Sequence, residues 1–401
     1  MSESPSLDRD TLLVRAPHVV VHLTDDDSVT LELGGESVSF PKMAVAILDA
    51  FAQPARLGDV LARLAFEGPE HFIEASSVAL QLESAGALHA PGAQSRARAR
   101  GYVKPSIHIA MLDDHVRTEK FCAAIRALVR PTDVVVDIGT GTGILAACAA
   151  IAGARKVFAF ESTAIADVAE QVYAANGVSE RVTLVRERST HASLPERGDL
   201  LVTEMIGNDP LDEHLIEVIA DARARLLRPN ARIVPSRLEI VACPVEIPAQ
   251  TFARHVFTKE RVDAYERAYG VALGPLLAHR LGASKPVMIK TAEACTWHAV
   301  GPFTSLAEID LEKASTPSFD SSVHFELKEN VMRFGFFLAF RATLAEGIVL
   351  STVPGEVDPS NHWRFALWPA LDLGEMAKGA RVDAHYHYER GSSTVRFERT
   401  S

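Results

Sequence analysis

Cysteine is scarce: Cys122, Cys148, Cys243 and Cys295 are the only four in 401 residues, and no two form a C-x-x-C pair. That excludes a disulfide framework and a zinc-binding spacing, and makes a reducing, cytoplasmic setting the expectation. Long apolar runs are also missing, since no stretch of about eighteen such residues offers a membrane span. The opening Met1-Ser-Glu-Ser-Pro5 has neither the basic region nor the apolar core of a signal peptide. Positive charge is in deficit, with 41 Lys and Arg against 52 Asp and Glu and a net charge of −11. No nucleic-acid partner is expected from that balance; a peptide or small molecule, cationic if charged, suits it better. What the chain does have is length and a 47% hydrophobic content, enough for two or three domains with their own cores.

The stretch Val134-Val-Val-Asp-Ile-Gly-Thr-Gly-Thr-Gly-Ile-Leu145 organises the rest. Its valines read as a buried parallel strand, and Ile144–Ala150 as the start of a helix. Between them Gly139, Gly141 and Gly143 let backbone N–H groups come close to a ligand, because no Cβ blocks the approach. The dinucleotide spacing G-x-G-x-x-G fails, as position 144 is Ile. The remaining Asp-x-Gly-x-Gly-x-Gly, with Asp137 at its head, resembles the nucleotide loop of class I S-adenosylmethionine methyltransferases. Lys156–Glu161 reads as a second strand, and its terminal Glu161, twenty residues past Gly141, is placed to accept both hydroxyls of a ribose. Arg181–Arg186 and Asp199–Glu204 read as the third and fourth strands.

Upstream, Leu12–Arg15, Val19–Leu23 and Val29–Leu33 read as short strands, followed by helical patterns over Met43–Phe51, Leu57–Leu64 and His71–Leu82. Strands followed by three helices resemble the PqqD-like winged-helix fold. That resemblance implies a module that binds the leader of a precursor peptide as an added strand. Ser95-Arg-Ala-Arg-Ala-Arg100 is a basic joint and the first boundary.

Between that joint and the glycine loop stands Tyr102-Val-Lys-Pro-Ser-Ile-His108-Ile-Ala-Met111-Leu-Asp-Asp114-His-Val-Arg117-Thr118. This resembles the N-terminal segment of protein arginine methyltransferases, Tyr…His-x-x-Met-Leu-x-Asp-x-x-Arg-Thr. The resemblance implies that Tyr102 lines the active site, that His108 and Met111 cover the cofactor, and that Arg117 binds its methionine carboxylate through a guanidinium fork. Read without the family, Met111, His115 and Thr118 form a helix face and Arg117 is exposed. The family's aromatic pair before the Tyr is replaced by Arg98 and Ala99. The loop holding Ser189 and Thr190 would meet the adenine, with hydroxyls where the family usually has a Glu.

Glu204 and Glu213, nine residues apart around Gly207, resemble the family's hairpin of two glutamates. Two carboxylates can grip the N–H edges of a planar guanidinium, orient one nitrogen and draw positive charge off it. The family's Trp and Met after the first Glu are Met205 and Ile206, and its Tyr after the Gly is Asn208, so the aromatic walls are absent. That leaves another nucleophile open. Arg232–Glu246 resembles the crossover into the family's β-barrel, and residues 251–285 hold helical patterns where the family carries its dimerisation arm, implying a homodimer. Asn361-His362-Trp363 resembles the Thr-His-Trp loop that closes the site; His362 would pair with an acid or relay a proton. The alternating His385 and His387 read as exposed strand residues, and no metal is expected.

The expected fold is therefore α/β: a Rossmann-like, seven-stranded methyltransferase domain (residues 94–233), then a β-barrel-like substrate domain (234–401), with a winged-helix α+β peptide-recognition module in front (1–93). The expected activity is N-methylation of an arginine in a natural-product precursor peptide with S-adenosyl-L-methionine as donor. Glu204, Glu213, Tyr102 and His362 would be catalytic. His108, Met111, Arg117, Asp137, Gly139, Gly141, Glu161 and Thr190 would hold the cofactor. Methylation of a free amino acid or another peptide group, and a non-catalytic scaffold that keeps the fold, stay open.

Overall fold

Val134–Ile138 is buried at every position, as a strand covered on both faces must be. In the computed structural model it is the middle strand of a parallel sheet. The structure describes residues 8–16, 19–23, 28–33, 36–64, 68–91, 105–278, 286–314, 318–358, 361–370 and 373–400. Tyr102 and the basic joint at 95–100 lie outside them. By internal contacts the chain divides into two units, Met1–His108 with Ser162–Asp167, and Ile109–Glu161 with Val168–Ser401.

The first unit begins with β1 (Leu12–Arg15), β2 (Val20–Leu23), β3 (Ser28–Leu33) and β4 (Glu36–Pro41). It continues through α1 (Met43–Ala50), β5 (Ala55–Arg56), α2 (Leu57–Leu64), α3 (Pro69–Ser84) and β6 (Leu88–His89). β2, β3 and β4 form an antiparallel meander, and β1 sits between β5 and β6. Val29, Leu31, Phe40, Ile47, Phe51, Val78 and Leu82 share one core. α4 (Pro105–Asp113) runs from this unit into the next.

The second unit opens with α5 (His115–Leu128), β7 (Val134–Ile138), α6 (Ile144–Ile151) and β8 (Lys156–Phe160), and α7 (Ala166–Ala175) follows. Then come β9 (Val182–Val185), β10 (Gly198–Thr203), α8 (Leu215–Arg225) and β11 (Leu227–Val234). Asp114 caps α5, its Oδ1 accepting the Arg117 N–H at 3.0 Å. The sheet order is β11-β10-β7-β8-β9, all parallel. Among the described residues it has five strands, not the expected seven. The chain leaves after β11, because the next strand finds its partners in another sheet.

That strand is β12 (Arg237–Glu246), followed by α9 (Ala249–His255), α10 (Lys259–Tyr269), β13 (Val287–Lys290), α11 (Thr291–Ala294) and β14 (Thr304–Asp310). β15 (Ser318–Glu326), β16 (Phe334–Ala345), β17 (Ile348–Ser351), β18 (Arg364–Pro369), β19 (Arg381–Glu389) and β20 (Ser392–Thr400) complete the chain. One sheet runs β13-β18-β16-β12-β14 with β17 also on β16; β15, β19 and β20 form another. Among the described residues these are two hydrogen-bonded sheets and not one closed barrel. Phe336 and Phe340 of β16 share the core of the parallel sheet. Alternation along β19 turns Tyr386 and Tyr388 inward and His385 and His387 outward, where they meet Ser322 at 2.8 Å and Asp320 at 2.9 Å. No helix among the described residues is long and apolar enough to cross a membrane.

Candidate active site

Gly139, Gly141 and Gly143 have φ of +75°, +54° and +86°, the left-handed region that glycine enters most cheaply. At Gly143 space is a second demand, since a Cβ there would stand 2.7 Å from Tyr173 Cε1. The N–H groups of Gly139 and Thr140 donate to the Phe160 carbonyl at 3.1 and 2.9 Å, tying the turn to the end of β8. The Thr140 hydroxyl donates to Asp137 Oδ2 at 2.5 Å. Asp137 is buried and its Oδ1 has no hydrogen-bond partner. Burial pushes its carboxyl up to about 7, against the hydrogen bonds from Thr140 and the Ala146 backbone. Glu161 directly follows β8, is buried, and accepts the Gly141 N–H on Oε2 at 3.0 Å. A glycine turn at a helix start, with a carboxylate beside it, can hold a nucleoside by backbone approach and hydroxyl recognition.

Arg117 lies in the first turn of α5 and is 4% exposed, so the reading that left it on an open helix face fails. Its Nε–H donates to Glu204 Oε2 at 2.8 Å, and its Nη2 donates to the same oxygen. The Ile206 N–H donates to Glu204 Oε1 at 3.3 Å. Glu204 stands at the end of β10, where the Thr203 hydroxyl donates to the Ile138 carbonyl at 3.0 Å. The carboxylate is thereby aimed from both oxygens. Met111 is half-buried, and its carbonyl accepts from the Thr118 hydroxyl at 3.3 Å. His108, three residues earlier on α4, is buried.

His362 Nδ1 lies 2.9 Å from Asp114 Oδ2, and the His362 backbone N–H donates to the same oxygen at 3.2 Å. Burial opposes the charge on Asp114, yet the hydrogen bonds from His362 and the Arg117 backbone prevail and hold its carboxyl below the ordinary value. An ionised Asp114 accepts a hydrogen bond from Nδ1–H, and in the neutral imidazole that tautomer leaves Nε2 as the acceptor nitrogen. The neighbouring Trp363 donates its indole N–H to the Ile206 carbonyl at 2.7 Å, and the Arg364 N–H donates to Asn208 Oδ1 at 2.6 Å. Thr291 holds the loop from behind, donating to the Trp363 carbonyl at 2.7 Å. The His-Trp loop and the hairpin after Glu204 are thus locked together.

Glu213 is half-buried at the far end of that hairpin, ahead of His214 and α8. Met205 packs towards the glycine turn: a Cβ on Gly139 would stand 3.5 Å from Met205 Cγ. Asp209, 4% exposed, lies 3.4 Å from the Tyr386 hydroxyl; burial raises its carboxyl to about 6. Thr190 is exposed in a turn whose neighbours are gripped by Arg225, which donates to the Ser189 and Ala192 carbonyls at 2.8 and 2.7 Å. Sequence reasoning gave no role to Asp114, Tyr173, Asp209 or Thr291. For Asp114 a signal existed in the Met-Leu-x-Asp pattern, while the others touch the site only through folding. Among the described residues, no cluster of three or more His, Cys, Asp or Glu is arranged to hold a metal ion.

A family model for ribosomal protein L11 methyltransferase (PrmA) matches residues 113–238. The chain is 34% identical over 269 residues to a probable histone-arginine methyltransferase 1.4 of Arabidopsis thaliana, covering 63% of this chain and 48% of that one. It is 31% identical over 206 residues to a probable protein arginine N-methyltransferase 6 of the same plant, covering 50% and 46%. The chain therefore spans about half the length of these curated relatives. Of known structures, the Trypanosoma brucei PRMT1 enzyme-prozyme heterotetrameric complex with AdoHcy superposes with a TM-score of 0.62 at 22% identity, over 75% of this chain and 99% of that one. Arabidopsis thaliana protein arginine methyltransferase 10 gives a TM-score of 0.58 at 22% identity, over 73% and 96%. At that identity the likeness speaks for architecture, and the chain has the fold of the arginine methyltransferases.

Proposed function

We propose that this protein is an S-adenosylmethionine-dependent methyltransferase that methylates an arginine side chain of a peptide. The observation that carries the reading is Glu204, held by Arg117 and by Ile206 at the end of β10, with Glu213 half-buried at the far end of the same hairpin. The left-handed glycines, the buried Glu161 and the unpartnered Asp137 Oδ1 fit a nucleoside-bearing cofactor. Gly139, Gly141 and Asp137 form its cradle, Glu161 takes the ribose, and Thr190 lies by the base. Arg117 takes the carboxylate, with His108 and Met111 as cover. The cofactor supplies an electrophilic methyl group.

The protein's share is orientation and charge. Glu204 and Glu213 accept hydrogen bonds from the guanidinium N–H groups and stabilise the positive charge that builds as its nitrogen is alkylated. His362, held through Nδ1 by Asp114, presents Nε2 as the acceptor for a departing proton. Tyr102 belongs to the same site by its place in the motif.

The first unit extends the proposal to a ribosomal precursor peptide. Among the described residues its β2-β3-β4 meander has β2 and β4 as edges and shares one core with α1, α2 and α3, which supports a leader-binding module of PqqD-like kind. A second reading, a different peptide nucleophile or a free amino acid, is favoured by the hairpin itself. Met205 and Asn208 replace the aromatic walls that would sandwich a guanidinium.

Co-expression with small peptides encoded nearby, followed by tandem mass spectrometry, tests the proposal. Methyl groups localised to an arginine are expected, and Glu213→Gln should lower turnover by roughly 10²–10³-fold with cofactor binding intact. Glu213 is the better target, because Glu204→Gln also strands the buried charge of Arg117. Turnover unchanged in Glu213→Gln would sink the two-glutamate mechanism, and methylation confined to another residue type would move the reading to the second one.

A further inference from the structure

The hairpin between the two glutamates carries an aspartate whose side chain turns back into the turn. A Cβ placed on Gly207 would stand 1.5 Å from Asp212 Oδ1 and 3.0 Å from the Asp209 carbonyl oxygen. The room a side chain at 207 would need is filled by a carboxylate. The backbone N–H groups of Asp209 and Asp212 favour the charged form of that carboxylate, and the Asp212 N–H donates to the Asp209 carbonyl at 2.9 Å. Asp212 therefore packs its carboxylate against the backbone of a tight turn that has no regular ladder of its own.

We propose that Asp212 is a positioning residue: its carboxylate folds over Gly207, closes the hairpin, and so sets Glu213 relative to Glu204. The inference rests on the reading of those glutamates as the substrate grip, and it adds what fixes their spacing. Asn is the conservative replacement, keeping the shape and an acceptor oxygen but losing the charge. Ala removes the carboxylate that fills the space over Gly207.

The charge matters because it forms close to neutrality. Asp212 is exposed, and solvent screens part of the effect, but the protein around its carboxyl, and then Asp209, push it up to about 7. The other titratable groups around the hairpin are Tyr386 on Asp209, Tyr388 on Glu217 of α8, Glu213 beside it, and His214 against Gly391. An ionised carboxylate accepts N–H bonds more strongly than a neutral one, so the turn tightens as pH rises through about 7.

The test uses the full chain. Amide exchange across residues 205–214, corrected for intrinsic rates, is followed by mass spectrometry from about pH 6 to about pH 8.5. Methyl transfer to a synthetic arginine-containing peptide is measured over the same range, and S-adenosylhomocysteine binding is measured by calorimetry. Wild-type protection should rise with pH. Asp212→Asn should abolish that rise and flatten the matching part of the kcat/KM profile. Asp212→Ala should speed exchange and lower kcat/KM by about tenfold or more, with S-adenosylhomocysteine affinity unchanged. Wild-type protection and pH profile in both variants would overturn the inference. If Glu213→Gln proved fully active, the reading beneath would fail, and exchange in the Asp212 variants would still decide whether this carboxylate closes the turn.

Discussion

Asp137, next to last in β7, is buried with its carboxyl raised to about 7, burial being the main cause. Its ordinary value is 3.8, so the folded state holds this proton more tightly than the unfolded chain does. The stability linked to this group is fully present below about pH 4 and is lost as pH rises through about 7, on the order of a few kcal/mol in total. Asp137→Asn removes that loss. Urea unfolding at a series of pH values should show the variant gaining on the wild type between about pH 5 and about pH 8; parallel curves would refute the assignment. Asp114 runs the other way: its lowered carboxyl adds stability above the ordinary range and loses it in acid. Two aspartates of one site thus pull the pH profile in opposite senses.

The loop Asn361-His-Trp363 is held at three points, by Asp114, by Thr291 and by the indole bond to Ile206. Trp363→Phe keeps most of the packing against Phe340 and leaves the buried Ile206 carbonyl without its donor, at a cost of about 1–3 kcal/mol. The expected result is a raised KM for the peptide with cofactor affinity retained, measured by initial rates beside calorimetry. Unchanged KM would mean that the indole only fills space. The elements here were legible to different degrees. The β7 valines, the glycine turn and the alternation along β19 follow from local periodicity. The Arg117–Glu204 pair joins residues 87 apart and the His362–Asp114 pair residues 248 apart, so neither has a local signature. The order of motifs pointed to Arg117, Glu204 and His362 singly but to neither pairing, and it says nothing of burial. The short strands β4 and β5 escaped notice because Ser-Val-Ser and a two-residue bridge form under tertiary pairing and not by propensity. The count of seven strands came from the family resemblance and not from local pattern, which marked four strands of the methyltransferase domain ahead of Arg232.

At the scale of the whole chain, the first unit and the parallel sheet have separate apolar cores, one drawn from residues up to Leu88 and the other beginning at Phe121. Removing residues 1–92 therefore cuts through neither core. Such a chain should still bind S-adenosylhomocysteine but lose at least about tenfold in rate on a leader-bearing peptide, and nothing on the same peptide without its leader. Equal rates on both would leave the module without a role in recognition. The inward face of β19 has a consequence for how the protein is made. Tyr386 reaches Asp209 across 177 residues of chain, and Tyr388 reaches Glu217 across 171. At about 5–20 residues per second, a ribosome needs roughly 10–35 s to go from the hairpin to the tyrosines that anchor it. During that interval the parallel sheet can already form while the hairpin is unanchored, so on the proposed function a nascent chain would bind cofactor before it could turn over a substrate.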